Sequence, residues 1–256
     1  MCLAVIALDA HPGYRLVVAA NRDEFHARAA SHAAWGTDAA FMHILAGRDL
    51  QAGGTWLGVR RDGRFAFVTN VRKGSAQDPG ARSRGELVPR VLNATTPPDQ
   101  TLRDIADTQD RYNGFNLLFG DSRGALWMSN RAAFVQRLTD GIYGLSNALI
   151  DTPWPKLTRT LDRVREWTAR GGADTAPLFV ALADRAPAPD ALLPATGIPT
   201  DRERLLSSPF IVSAGYGTRC STVFTIDRAG HARFHERSFD PNGDATGETS
   251  EEFAVV

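Results

Sequence analysis

The chain has 256 residues, with 29 Lys plus Arg against 29 Asp plus Glu and a formal net charge of zero. That balance supplies no field to favour nucleic acid or an anionic membrane, and no apolar run approaches the roughly 20 residues of a membrane helix. The N-terminal apolar run lacks the preceding basic residues of a signal peptide, so a cytoplasmic protein with no membrane span is expected. With 43% hydrophobic residues the chain can bury a full core, and residues 1–256 read as a single domain.

The chain opens in β structure. CLAVIAL (2–8) and RLVVAAN (15–21) are apolar runs separated by a stretch holding Pro12-Gly13, which predicts a hairpin buried on both faces. After a Gly- and Ala-rich loop, TWLGVRRDGRFAFVTNV (55–71) reads as two strands about Asp62-Gly63, a strong hairpin signal. GELVPRVL (85–92) and TLRDIADTQDRY (101–112) are expected as helices, the first capped by Ser83 and interrupted at Pro89. NLLFGDSRGALWMS (116–129) is a hairpin through Asp121 to Gly124, with short strands at FVQRL (134–138) and GIYGLSN (141–147) beyond it. Trp154, Leu157, Leu161, Val164 and Trp167 recur at helical spacing, predicting a helix over 155–169, and a second is expected around TAPLFVALAD (175–184). Residues 185–209 are Pro-rich and irregular, and FIVSAGY (210–216) with STVFTIDRAGHARFHERSF (221–239) closes the chain on another hairpin pattern. Alternating strand and helix blocks predict an α+β fold, with two mostly antiparallel sheets packed between helical layers.

Two cysteines, Cys2 and Cys220, are too few for a disulfide-stapled scaffold. Cys220 reads as a packed strand residue beside Arg219, with a redox pairing to Cys2 left open. Trimming of Met1 would leave Cys2 carrying both a thiol and a free α-amine. An amine with a reference pKa of about 8 can accept the thiol's proton, so one residue would supply nucleophile and base. Cys2 is equally small and apolar enough to be ordinary strand packing.

ANRDEF (20–25) ends the second apolar run, and hairpin geometry returns that end to the start of the first strand. Asp23 is then placed to orient the amine. Strand alternation separates Asn21 and Asp23 from Arg22 and Glu24. Asn21 and Asp23 are therefore expected to serve the site, and Arg22, paired with Glu24 or nearby carbonyls, to brace it. The plainer alternative is a solvated strand end that begins a turn.

GGTW (53–56) is either a glycine turn that sets Trp56 over a cleft mouth or a loop anchored by a core Trp; it is no phosphate loop, since no GK[ST] follows. Of the six histidines only His231 and His235 share a strand face, beside charged residues, and no metal site is expected.

MCLAV, ANRDEF, GGTWLGV (53–59), NGFNLL (113–118) and YGTRCSTV (216–223) together resemble the NRDE proteins, also called the transport and Golgi organisation two family, over essentially the whole chain. More distantly, the layout is similar to the choloylglycine and penicillin V acylase group of N-terminal nucleophile hydrolases, which implies a four-layer αββα sandwich. On that resemblance Cys2 matches the nucleophile and Asp23 the carboxylate that holds its α-amine. Asn70 matches an oxyanion-hole side chain, a donor worth a few kcal/mol, and Asn147 a second polar residue of that site. Arg219 matches a basic residue near the nucleophile, able to lower a thiol pKa. One position departs: the acylases carry an Arg three residues ahead of the Asp, where this chain has Ala20, and its own Arg22 is adjacent to Asp23.

Two function classes follow. One is a Cys2-dependent amidase or acyltransferase on small amide or acyl substrates, with no cofactor required. The other, implied by the family resemblance, is a non-catalytic haem or acyl-lipid binding and trafficking protein. Either takes a small-molecule partner, and no feature of the sequence points to an oligomeric state.

Overall fold

The computed structural model describes residues 3–72 and 77–256. The opening hairpin forms as its apolar runs dictate: β1 (Leu3–Leu8) pairs antiparallel with β2 (Tyr14–Phe25), with Leu3 opposite Asn21. β3 (Ala30–Trp35) and β4 (Ile44–Asp49) follow, then β5 (Leu57–Arg60), β6 (Phe65–Asn70), α1 (Leu87–Leu92) and α2 (Pro98–Ala106). β7 (Phe115–Asp121), β8 (Gly124–Ser129), β9 (Gln136–Leu138) and β10 (Gly141–Leu145) complete the middle of the chain. The remaining elements are α3 (Pro155–Arg170), α4 (Ala176–Leu182), α5 (Thr200–Leu205), β11 (Tyr216–Asp227), β12 (His231–Phe239) and β13 (Ala245–Ala254).

Two antiparallel sheets result, ordered β10-β1-β2-β11-β12-β13 and β3-β4-β5-β6-β7-β8-β9. Between them lies one core, including Ile6, Leu16, Val18, Phe65, Phe67, Trp127, Phe224 and Phe234. On the outer face of the first sheet, Leu157, Leu161, Val164 and Trp167 of α3 and Leu178 and Leu182 of α4 cover Leu3, Val5, Val17 and Ala19. On the outer face of the second, Val88 and Leu92 of α1 and Ile105 of α2 cover Ile44, Ala66, Val68 and Leu117. The fold is thus a four-layer αββα sandwich, and β1 is interior to its sheet. No helix among the described residues is long and apolar enough to cross a membrane.

Several sequence expectations need correction. The Gly- and Ala-rich loop contains β3 and β4, and the Pro-rich stretch contains α5. Pro89 does not interrupt a helix: a 3-10 turn, Arg84–Glu86, capped by the Ser83 side chain, precedes α1, and Pro89 sits in the first turn, where a helix needs no N–H. FIVSAGY joins the sheet only at Tyr216, because Ile211 pairs with Thr218 of its own return strand rather than extending β11.

Candidate functional site

At one end of the sandwich β2 and β6 end, and the chain leaves β10 toward α3. These ends border a cavity of about 710 Å³ lined by Asp23, Asn70, Arg72, Asn147 and Lys156, among others. Asp23, buried at the end of β2, accepts a hydrogen bond from Thr218 Oγ1 at 2.7 Å. Lys156 Nζ, at the start of α3, lies 3.9 Å from Asp23 Oδ2 and donates to Asn147 Oδ1 at 3.4 Å. Asn147 Nδ2 in turn donates to the Asn70 carbonyl at 3.0 Å, and the Arg72 amide donates to the Asn147 carbonyl at 2.7 Å. The fold brings Asp23, Asn70 and Asn147 to one cavity together with Lys156, which the sequence did not single out. Cys2 lies outside the described residues.

Beyond Lys156, the cavity roof rests on another buried charge pair. Glu203 of α5 is 3% exposed and lies 3.2 Å from the Arg72 guanidinium, which also covers the Trp154 ring at 4.7 Å. The Glu203 carboxylate accepts from both the backbone amide and the hydroxyl of Thr196. Asp201, Arg202, Leu205 and Leu206 of the same helical segment line the cavity.

Within NRDE, Asp23 and Glu24 line the larger cavity, and Asn21 and Arg22 do not. Asn21 does face the same side as Asp23, but it is a brace: its Nδ2 donates to the Leu182 and Pro209 carbonyls at 2.9 Å each, and its Oδ1 accepts from Ser221 at 2.6 Å. Arg22 is not paired with Glu24, which engages Arg28 at 3.9 Å and its neighbour's Phe25 amide. Alternation turns Arg22 between the sheets, where its guanidinium lies 4.3 Å over the Trp56 ring. Both residues line a second cavity, of about 380 Å³, which shares Glu24, Arg28, Asn70, Arg84 and Asn113 with the first.

Arg219 does not join the cleft. The β2–β11 ladder pairs Cys220 with Arg22 and Thr218 with Asp23, so Arg219 is the extra residue of a bulge. Its Nη1 donates to the carbonyls of Phe25, His26 and Arg28, tying down the chain that leaves β2. Burial and the nearby Arg22 charge push the Arg219 pKa down. Beside Arg22, between the sheets, lie the buried Cys220 and Glu236. Burial pushes the Cys220 thiol well above its ordinary value. Burial also raises the Glu236 carboxyl, partly offset by hydrogen bonding to Thr222 and by Arg22.

The described lining of both cavities contains no His, Met or Cys, the commoner haem ligands, and Tyr216 packs edge-on against Phe25. The larger cavity sets Arg28, Arg72, Arg84, Arg202 and Lys156 beside Asp23, Glu24 and Asp201, and the smaller sets Arg22, Arg28, Arg82 and Arg84 beside Glu24 and Asp49. His231 and His235 engage separate carboxylates, Asp227 at 3.3 Å and Glu248 at 3.5 Å.

Known proteins share this layout in sequence. The family described as Transport and Golgi organisation 2 matches residues 1–241. The Transport and Golgi organization 2 homolog of Mus musculus is 35% identical over 260 residues, covering 93% of each chain. The Homo sapiens homolog is 36% identical over 262 residues, again 93% of each. Transport and Golgi organization protein 2 of Drosophila melanogaster is 27% identical over 272 residues and 95% of each. Among solved structures, the chain is similar to a Caenorhabditis elegans ortholog of N-acylethanolamine-hydrolyzing acid amidase (TM-score 0.46, 12% identity, 87% of this chain and 92% of that one). It is also similar to a mutant conjugated bile acid hydrolase from Clostridium perfringens (TM-score 0.49, 8% identity, 100% of this chain and 92% of that one). The family match takes in every residue that lines the two cavities, and the chain belongs to the Transport and Golgi organisation 2 family.

Proposed function

We propose that the protein is a Cys2-dependent amidase or acyltransferase acting on a small amide or acyl compound in the cytoplasm. The observation that carries this reading is Asp23: a buried carboxylate in a cleft, at the strand end that lies beside the start of β1, where Leu3 pairs with Asn21. In the proposed step the Cys2 thiol gives its proton to the Cys2 α-amine, and Asp23 stabilises the ammonium that forms. The sulfur bonds to the substrate carbonyl carbon, the carbonyl oxygen takes the displaced electron pair, and donors of the cleft, Asn70 first, stabilise that oxyanion. Collapse breaks the bond to the leaving amine, which takes the proton from the ammonium, and water or an acyl acceptor then cleaves the thioester. Lys156 Nζ, 3.9 Å from Asp23 and buried with it, adds a cation beside that carboxylate.

Binding without turnover is the second reading, favoured by Arg22, which faces away from Asp23 instead of joining it. It takes an anionic acyl ligand in the Arg-lined cleft. One experiment separates the two. Intact mass of the purified protein shows whether Met1 is removed, and incubation with a p-nitrophenyl acyl ester shows whether an acyl group accumulates on Cys2. Release of p-nitrophenol with a stable adduct on Cys2, absent from Cys2→Ala, supports the enzyme. A trimmed N-terminus with no adduct and no release rejects it.

A further inference from the structure

The 380 Å³ cavity presents a mismatch of donors and acceptors. Arg22 and Trp56 both line it, and each is nearly fully buried, at 4% and 5% exposure. Arg22 Nη1 and Trp56 Nε1 are both buried without a hydrogen-bond acceptor among the described residues. Buried polar groups are satisfied in the great majority of cases, so two orphaned donors on one cavity call for an acceptor that enters it. The other cations of the cavity are already engaged: Arg28 by Asp49 at 2.6 Å, Arg82 by Glu86 at 2.7 Å, and Arg84, whose Nη1 donates to the Gly114 carbonyl at 3.1 Å. Arg22 makes no ion pair among the described residues, whereas the two carboxylates of the lining, Glu24 and Asp49, both face Arg28.

We propose that this cavity is a carboxylate subsite, in which Arg22 and Trp56 hold the acid group of an amide or acyl compound that carries a free carboxylate. A carboxylate brings acceptors and no donor. Its two oxygens match the edge of a guanidinium whose face is occupied by the Trp56 ring. The indole N–H supplies a third donor. Asn70 lines both cavities, so a molecule held by its acid in the smaller one reaches the Asp23 cavity with its amide. The position of the reacting amide rests on the function proposed above; the acid-binding step does not.

The test uses the Cys2→Ala protein, which cannot form a thioester, and compares hippurate with its uncharged analogue hippuramide by isothermal titration near neutral pH. Charge-assisted hydrogen bonds predict that hippurate binds at least about tenfold more tightly. Arg22→Lys retains the charge and Trp56→Phe retains the ring. With a thermal melt confirming that each folds, each is expected to lose most of that preference while hippuramide binding stays unchanged. Equal affinity for the two compounds, or a preference that survives both substitutions, overturns the subsite. Displacement of hippurate by inorganic phosphate more readily than by acetate overturns the choice of carboxylate. The two proposals fail separately: hippurate selectivity with no acyl adduct on Cys2 keeps the subsite and removes the amidase, and an adduct without selectivity does the reverse.

Discussion

Lys156 Nζ and Asp23 Oδ2 stand 3.9 Å apart with side chains 2% and 0% exposed, which makes them a charge pair closed off from solvent. Removing one member of such a pair leaves an uncompensated buried charge and costs about 3–5 kcal/mol. Lys156→Met is expected to destabilise the protein within that range in urea titration. Adding Asp23→Asn should restore part of the loss, since the neutral amide still accepts the Thr218 hydroxyl. Additive losses in the double variant would show that the two charges do not interact.

Asp23→Asn alone tests the proposed chemistry. Iodoacetamide labelling of Cys2, read by peptide mass, should slow at least about tenfold when the acid that stabilises the protonated amine is gone. Cys220 provides the internal reference. It is buried and its thiol is held protonated well above the ordinary range, so it should resist alkylation up to about pH 9 in the native protein and react only after denaturation. Unchanged Cys2 labelling in Asp23→Asn removes the proposed link.

Glu236 predicts a pH dependence of stability. Its folded pKa is raised, so the folded state binds more protons than the unfolded one through that window. Its contribution is present in full below the unfolded carboxyl value of about 4.3 and is lost as pH rises through the folded value. Glu236→Gln should therefore match the parent near pH 4 and exceed its Tm near pH 8. A variant less stable than the parent at both pH values would mean that the ionised Glu236–Arg22 attraction outweighs burial.

The roof of the cleft is addressed through Glu203. Glu203→Ala removes the partner of Arg72 and the acceptor of two Thr196 donors, with an expected loss of about 3 kcal/mol or more. Because α5 is short, the opening should be local, and limited proteolysis should cut within 193–206 at protease concentrations that leave the parent whole. Cleavage elsewhere, at an unchanged rate in this segment, would contradict the pinning of α5 by Arg72.

Much of this architecture is legible because apolar runs and turns announce themselves. The hairpins 3–25, 57–70 and 115–129 and the α3 helix follow from alternation, Asp-Gly or Pro-Gly turns and 3.6-residue spacing. β3 and β4 escape because ASHAAW and ILAGRD are rich in residues with low strand preference. Gly47 shows why: a Cβ there would come within 2.4 Å of the Trp56 indole, so the strand gives up propensity to seat the ring. β13 escapes because its polar, half-exposed pattern is that of a sheet edge. Within the site, Asp23 was readable from hairpin geometry and Asn70 and Asn147 from family resemblance. Lys156 was not, since lysine is almost never fully buried unless paired, and its partner is 133 positions away in sequence. That Arg219 occupies a bulge was not legible, because a bulge leaves no local signature in GTRC.

That bulge makes the identity of a deleted codon matter more than the length of the deletion. Loss of Arg219 would regularise the ladder with Thr218 still opposite Asp23, sacrificing only the carbonyl anchors at the end of β2. Loss of Thr218 would instead slide Arg219 into the place beside Asp23 and put a guanidinium where a hydroxyl now stands. In an alignment of relatives differing by one residue here, the column given to the gap therefore decides whether the acid is matched with an alcohol or with a cation.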